Sequence, residues 1–239
     1  MSSFNCLRML VPGIIAIMAL SLPHSARGAT VEAITFAAVP DELFLPVYEA
    51  AQRVGWPLRW NEEGRLVELN RKSVQPGSLR RFTNGAELIG LEQMAAAGAA
   101  VVRRSDGSVR VASGFRAFTV VAGAQSVEIS LAKQQLYAWQ GRRLVLQTRI
   151  SSGRNNRTPA GEFRAGPYRA KMHRSSLYDD AKMPWSVQIN GNIFVHGFSS
   201  VPNYPASHGC IRMPLNEGNP ARFFYEWVLN GTPVQVTKN

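Results

Sequence analysis

The residues that could do chemistry cluster late in the chain. Of two cysteines, Cys6 and Cys210, the second is bracketed by histidines: His196 lies upstream and His208 two residues before it. A thiol is a poor nucleophile while it holds its proton, so a base and an electropositive setting must activate it. His196 ends the alternating run Asn192-Ile193-Phe194-Val195-His196, which places it at a strand terminus before Gly197. A Pro- and Ser-containing loop, Phe198 to Ala206, then returns the chain to Ser207-His208-Gly209-Cys210-Ile211-Arg212. This pattern suits a cysteine activated as a nucleophile by a nearby histidine base. Two alternatives stay open at this level: a buried, inert cysteine packed as a small hydrophobe, and a zinc site from His173, His196 and His208. The second lacks a short-range ligand pair such as His-x-x-x-His.

The setting of the thiol bears on its reactivity. Arg8, the apolar stretch Met9 to Leu22 and the small residues around Ala26-Arg27-Gly28 predict a cleaved signal peptide over residues 1–28. Pro12 and Gly13 interrupt the stretch, which is shorter than the roughly 20 residues a spanning helix needs; an uncleaved anchor is the other reading. Cys6 precedes the apolar run, which argues against a lipoprotein anchor. After cleavage no span is expected, and the protein is expected in the periplasm or cell wall. Cys210 would then have no disulfide partner in an oxidising compartment, which marks it as a reactive group.

The net charge of +11 favours anionic polymers. For an exported protein these are peptidoglycan carboxylates and other anionic envelope polymers. Nucleic acid is not expected as a partner, because the basic residues are scattered and no nucleic-acid motif accompanies them.

Two segments must position the site. Residues 29–120 contain an internal repeat at an offset of 43 residues: Glu42–Gly55 aligns with Gly85–Gly98, and Gly64 with Gly107. Each repeat reads as helix, glycine stop, strand, turn, strand. This segment resembles the stalk domain named after the N-terminal domain of copper amine oxidases. The resemblance implies an interaction or spacing module, and the absence of a His or Cys cluster argues against bound copper.

Residues 126–237 form the second segment. Val127–Leu131, Gln135–Trp139 and Arg142–Ser152 read as three strands, Asn219-Pro220 opens a helix ending before Gly231, and Pro233–Val236 is a last strand. The fold class expected is thus a small α+β repeat domain followed by a mainly β, sandwich-like domain with one C-terminal helix.

Within this segment Ile193-Phe194-Val195-His196-Gly197 and Ser207-His208-Gly209-Cys210-Ile211-Arg212-Met213 resemble the signature of the L,D-transpeptidase catalytic domain. Ser152-Gly153, Thr158-Pro159-Ala160-Gly161-Glu162-Phe163, Met183-Pro184-Trp185 and Gly231-Thr232-Pro233-Val234 match further family elements in order. The resemblance implies a peptidoglycan-linking cysteine acyltransferase without a cofactor or metal. Cys210 would attack a tetrapeptide stem after its L-centre, release D-alanine and pass the acyl group to an amine of another stem or an attached protein. Water as acceptor would make it a carboxypeptidase instead, and a non-catalytic peptidoglycan-binding protein is the reading from another class.

His196 would be proton acceptor and donor, held by a backbone carbonyl near Gly197. The N–H groups of Gly209 and Cys210 are candidates for the oxyanion hole, with Ser207 and His208 supporting. Arg212 is a candidate for a substrate carboxylate, or for a structural salt bridge, and Trp185 for the groove wall or the core. The ten residues between His196 and Ser207 are fewer than in many family members, which implies a differently shaped groove. Ser130-Leu131-Ala132-Lys133 matches a Ser-x-x-Lys pattern by chance, because it sits in a hairpin. Asp179 and Asp180 read as a solvated loop pair.

Overall fold

The computed structural model describes residues 29–75 and 77–239. The expected signal peptide, with Cys6 and the cleavage point, lies outside the described residues. Among the described residues no helix is long and apolar enough to cross a membrane.

The first half of the chain runs β1 (Thr30–Phe36), β2 (Val39–Pro46), α1 (Val47–Val54), β3 (Leu58–Trp60), β4 (Leu66–Leu69) and β5 (Lys72–Ser73). It continues as β6 (Arg80–Arg81), β7 (Glu87–Gly90), α2 (Leu91–Ala96), β8 (Ala100–Arg103), β9 (Val109–Ser113) and β10 (Arg116–Ala122). Seven of these strands make one sheet in the order β6-β7-β2-β1-β10-β9-β8, and β3-β4-β5 make a second. The repeat appears as two strand–helix–hairpin units. Gly55 and Gly98 follow the helices with positive φ, +74° and +110°, where a Cβ would be strained.

The expected helices begin later than the pattern implied: Glu42–Pro46 and Glu87–Gly90 are strands. The reason is burial on both faces of the sheet. Leu43, Leu45 and Ile89 face one hydrophobic cluster, while Phe44 and Leu88 face the other. A strand covered on both sides reads as a continuous apolar run and loses its period of two. Pro46 then enforces extended backbone before α1.

The second half runs β11 (Gln125–Ser130), β12 (Gln135–Gln140), β13 (Arg143–Arg149), a 3-10 turn at Arg154–Asn156, β14 (Gly161–Arg164) and β15 (Arg169–Ser175). β16 (Ala181–Asn190), β17 (Ile193–Phe198), β18 (Ile211–Pro214), α3 (Pro220–Trp227) and β19 (Pro233–Thr237) complete it. A five-stranded sheet, β13-β12-β11-β19-β14, faces a four-stranded one, β15-β16-β17-β18. Val127, Ile129, Leu136 and Val236 of the first and Val187, Val195, Ile211 and Met213 of the second share one core. Asn219 caps α3 by accepting the Arg222 N–H at 3.0 Å, with Pro220 at the first helical position.

The first half has a buried cluster of its own, from Val31 to Val120, and also shares part of the second half's core. Ile34, Phe36, Phe44 and Leu88 from the first sheet belong to the same buried cluster as Phe223, Phe224 and Trp227. Phe36 stands edge-on to Phe44 at 5.4 Å and to Phe223 at 5.7 Å. The N–H groups of Ala37 and Ala38 donate to the carbonyls of Trp227 and Glu226. Two buried glutamines complete the junction: Gln140 Oε1 accepts from Trp227 Nε1 at 2.8 Å and from Thr35 N–H at 3.3 Å, and Gln125 Nε2 donates to the Trp227 carbonyl at 2.9 Å. One face of the first half's sheet is therefore packed against the second half.

Candidate active site

The parallel pair β17–β18 builds the site. Its register sets His196 beside Arg212, two residues past Cys210. The strand continues through Gly197 to Phe198, so His196 lies inside it and not at its end. The imidazole is only 4% exposed. Burial pushes its pKa down to about 4; the contact with the Gly197 carbonyl opposes this, and the charge of Arg212 adds to it. At neutral pH the ring is uncharged. Nδ1 donates to the Gly197 carbonyl at 2.9 Å, which leaves Nε2 with its lone pair free to accept a proton. A Cβ on Gly197 would have to displace the Leu215 side chain, 2.4 Å away at Cδ2, and would crowd Ala221 Cβ at 3.2 Å.

Cys210 is a free, half-buried thiol whose Sγ lies 3.5 Å from the Asn192 carbonyl. Burial raises its pKa, opposed by the backbone N–H of Phe194 and the charge of Arg212. The loop before it is held from several directions. Ser207, 2% exposed, accepts the Gly209 N–H at 3.0 Å and donates to the Cys210 carbonyl at 2.5 Å through the same hydroxyl. The Ser152 carbonyl accepts the N–H groups of Ala206 and Ser207, and Ser151 and Arg212 exchange both backbone bonds. The Gly209 N–H, expected as an oxyanion donor, is paired with the Ser207 hydroxyl in this structure. The Cys210 N–H has no partner among the described residues.

Cys210, His196, Ser207, His208 and Arg212 line one small groove of about 60 Å³, roofed by Tyr178 and Met183. A hollow of about 280 Å³ lined by Leu69, Ile89 and Ala97 in the first half is larger but contains no cysteine or histidine. Arg154 Nη2 donates to His208 Nε2 at 2.8 Å, and the Tyr178 ring stacks on the other ring at 4.6 Å. Desolvation and then the charges of Arg154, Arg157 and Arg212 lower the pKa of His208. His208 is thus a neutral rim residue with its acceptor nitrogen occupied. None of these three arginines is in an ion pair among the described residues, so the salt bridge considered for Arg212 is not formed. The Arg212 guanidinium instead lies 4.0 Å over the Phe198 ring.

Trp185 is not in the groove. Its left-handed backbone, φ +57°, interrupts the alternation of β16, and its ring meets Tyr225 and the Arg222 guanidinium of α3. Met183 takes the groove position. His173 stacks on Phe194 at 4.9 Å and meets the Tyr168 hydroxyl at 3.0 Å, and among the described residues no three His, Cys, Asp or Glu side chains could hold a metal. Asp180 pairs with Arg174. Tyr178 and Arg154, which reach His208 from loops remote from it in sequence, carried no signal there, whereas Met183 stood in the Met-Pro-Trp element.

Residues 124–236 match the family model YkuD, described as the L,D-transpeptidase catalytic domain. No curated protein matches the chain. Among solved structures, the L,D-transpeptidase of Stackebrandtia nassauensis is 22% identical, covering 48% of this chain and 56% of its own, at a TM-score of 0.43. The L,D-transpeptidase of Xylanimonas cellulosilytica is 28% identical over 64% of this chain and 72% of its own, at 0.42. An L,D-transpeptidase from Mycobacterium tuberculosis H37Rv is 14% identical over 90% and 96%, at 0.43. The chain spans little more than half the length of the Stackebrandtia protein.

Proposed function

We propose, from the match of residues 124–236 to the model of the L,D-transpeptidase catalytic domain, that this protein is a peptidoglycan L,D-transpeptidase with Cys210 as nucleophile and His196 as its base. The observation that carries the reading is the pairing of a free thiol with a neutral imidazole in one groove, the second ring nitrogen being tied to the Gly197 carbonyl.

In the proposed reaction His196 Nε2 takes the thiol proton as Sγ attacks the carbonyl after the L-centre of a tetrapeptide stem. The tetrahedral oxyanion collapses, the bond to D-alanine breaks, and the imidazolium returns the proton to the leaving amine. A thioester remains. An amine of a second stem attacks it, gives up its proton to His196 and forms the cross-link, and the thiol is regenerated. Arg154, Arg157 and Arg212, without acidic partners among the described residues, offer charge to stem carboxylates. Export, the envelope setting and a wall-protein role for residues 29–120 are part of the same proposal.

Incubation with disaccharide-tetrapeptide tests it. Released D-alanine and a cross-linked dimer are expected, both lost in Cys210→Ala. Tripeptide without dimer would reassign the acceptor to water, and no release of D-alanine would overturn the reading. A carbapenem is expected to leave a covalent adduct on Cys210, read by intact mass.

A further inference from the structure

The Thr-Pro-x-Gly-x-Phe element that opens at Thr158 has no part in the mechanism above, yet its threonine touches the nucleophile's loop. Thr158 is 3% exposed and its hydroxyl sits between two backbone groups. It accepts the Gly153 N–H at 2.7 Å and donates to the Gly209 carbonyl at 2.7 Å. The direction of both bonds is settled by chemistry. An amide N–H can only donate, so the single hydroxyl proton goes to the carbonyl.

That bond orients the next peptide. The Gly209–Cys210 unit is planar and trans, so its N–H points away from its C=O. With the Gly209 carbonyl tied to Thr158, the Cys210 N–H is aimed to the opposite side. Gly209 has φ +148°, a conformation that favours glycine, so the sequence itself leaves this peptide free to rotate. Its other neighbours are already committed: Ser207 holds the Gly209 N–H and the Cys210 carbonyl. Among the described residues the Cys210 N–H, like that of His208, has no partner. It lies on the reacting residue, where a developing oxyanion forms.

We propose that Thr158 is a positioning residue: by holding the Gly209 carbonyl it keeps the Cys210 N–H facing the carbonyl under attack, so that this N–H serves as an oxyanion donor. The inference rests on the reading of Cys210 as nucleophile. A buried hydroxyl that merely satisfied two backbone groups would stabilise the loop without favouring one reaction of the thiol over another.

Two reactions of the same thiol separate these roles. Acylation by a carbapenem passes through an oxyanion; alkylation by iodoacetamide does not. Thr158→Val keeps the shape and removes both hydrogen bonds. It is expected to slow acylation on the order of 100-fold while alkylation changes less than about 3-fold, and Thr158→Ser is expected to restore acylation. Turnover of disaccharide-tetrapeptide should fall in kcat with little change in KM. Thermal melts check folding, and Thr158→Ala is read instead if the valine variant does not fold. Acylation at the wild-type rate in a variant without the hydroxyl would overturn the proposal. So would equal loss of acylation and alkylation, which would mark a structural role. Failure of the wild-type protein itself to be acylated or to release D-alanine would instead remove the transpeptidase reading.

Discussion

At the scale of single residues, the pair proposed for catalysis rests in its uncharged form. Burial moves the two groups in opposite directions, lowering the His196 pKa to about 4 and raising that of Cys210. Both shifts disfavour the thiolate–imidazolium pair and favour thiol and imidazole. The thiol therefore needs the substrate, and the proton transfer that accompanies attack, to become reactive. The pH profile of alkylation is the direct test. Without substrate, the rate of Cys210 alkylation should rise with a midpoint above the ordinary thiol value of about 8.5. The sign is that of a raised acid: less thiolate at every pH below the midpoint than in a free cysteine. A midpoint below neutrality would mean an ion pair in the resting enzyme.

At the scale of elements, the site depends on a loop clamped between the turn after β13 and the start of β18. Gly153 shows how little room is left. Its own φ is −68°, which alanine accepts, but a Cβ there would lie 2.8 Å from Gly209 Cα and 2.9 Å from Thr158 N. Those are backbone atoms that cannot swing aside, so the added methyl must push the cysteine loop. Gly153→Ala should cost about 1–3 kcal/mol, the range for overpacking, and lower the rate of stem-peptide turnover at least about 10-fold. A denaturant titration beside the turnover assay checks both. Unchanged turnover would show that the loop can move without harm to the chemistry.

At the scale of the whole molecule, Ile34, Phe36, Phe44 and Leu88 of the first half are buried in the core of the second. Phe36 contacts Phe44 and Phe223, and Arg80 lies 4.6 Å over its ring while pairing with Glu226 at 3.2 Å. Burial shared in this way couples the two halves. Heat or denaturant should unfold residues 29–239 in one transition, with tryptophan fluorescence and far-UV circular dichroism coincident. Phe36→Ala should destabilise that transition by about 3–5 kcal/mol, since it opens a cavity in a common core. Two separate transitions, with only the first shifted by the substitution, would mean independent units.

Much of this was legible from residue types alone, because the physics involved is local. The alternation before His196, the glycine at position 209, the cap at Asn219 and the glycine stops at Gly55 and Gly98 each act within a few residues. Their elements follow from sterics and hydrogen bonding close in sequence. What only the tertiary structure decided are the contacts between segments far apart. The strands at Glu42–Pro46 and Glu87–Gly90 read as helix because burial on both faces erases the alternation that marks a strand. Trp185 left the groove because a left-handed residue reversed its side. The Gly209 N–H is paired because Ser207 folds back onto it, and Thr158 is the proposed positioning residue because its hydroxyl meets a carbonyl in a loop remote from it in sequence. A spacing pattern can nominate the thiol and the imidazole, but which hydrogen bonds are free to meet a substrate depends on the neighbours that folding brings in.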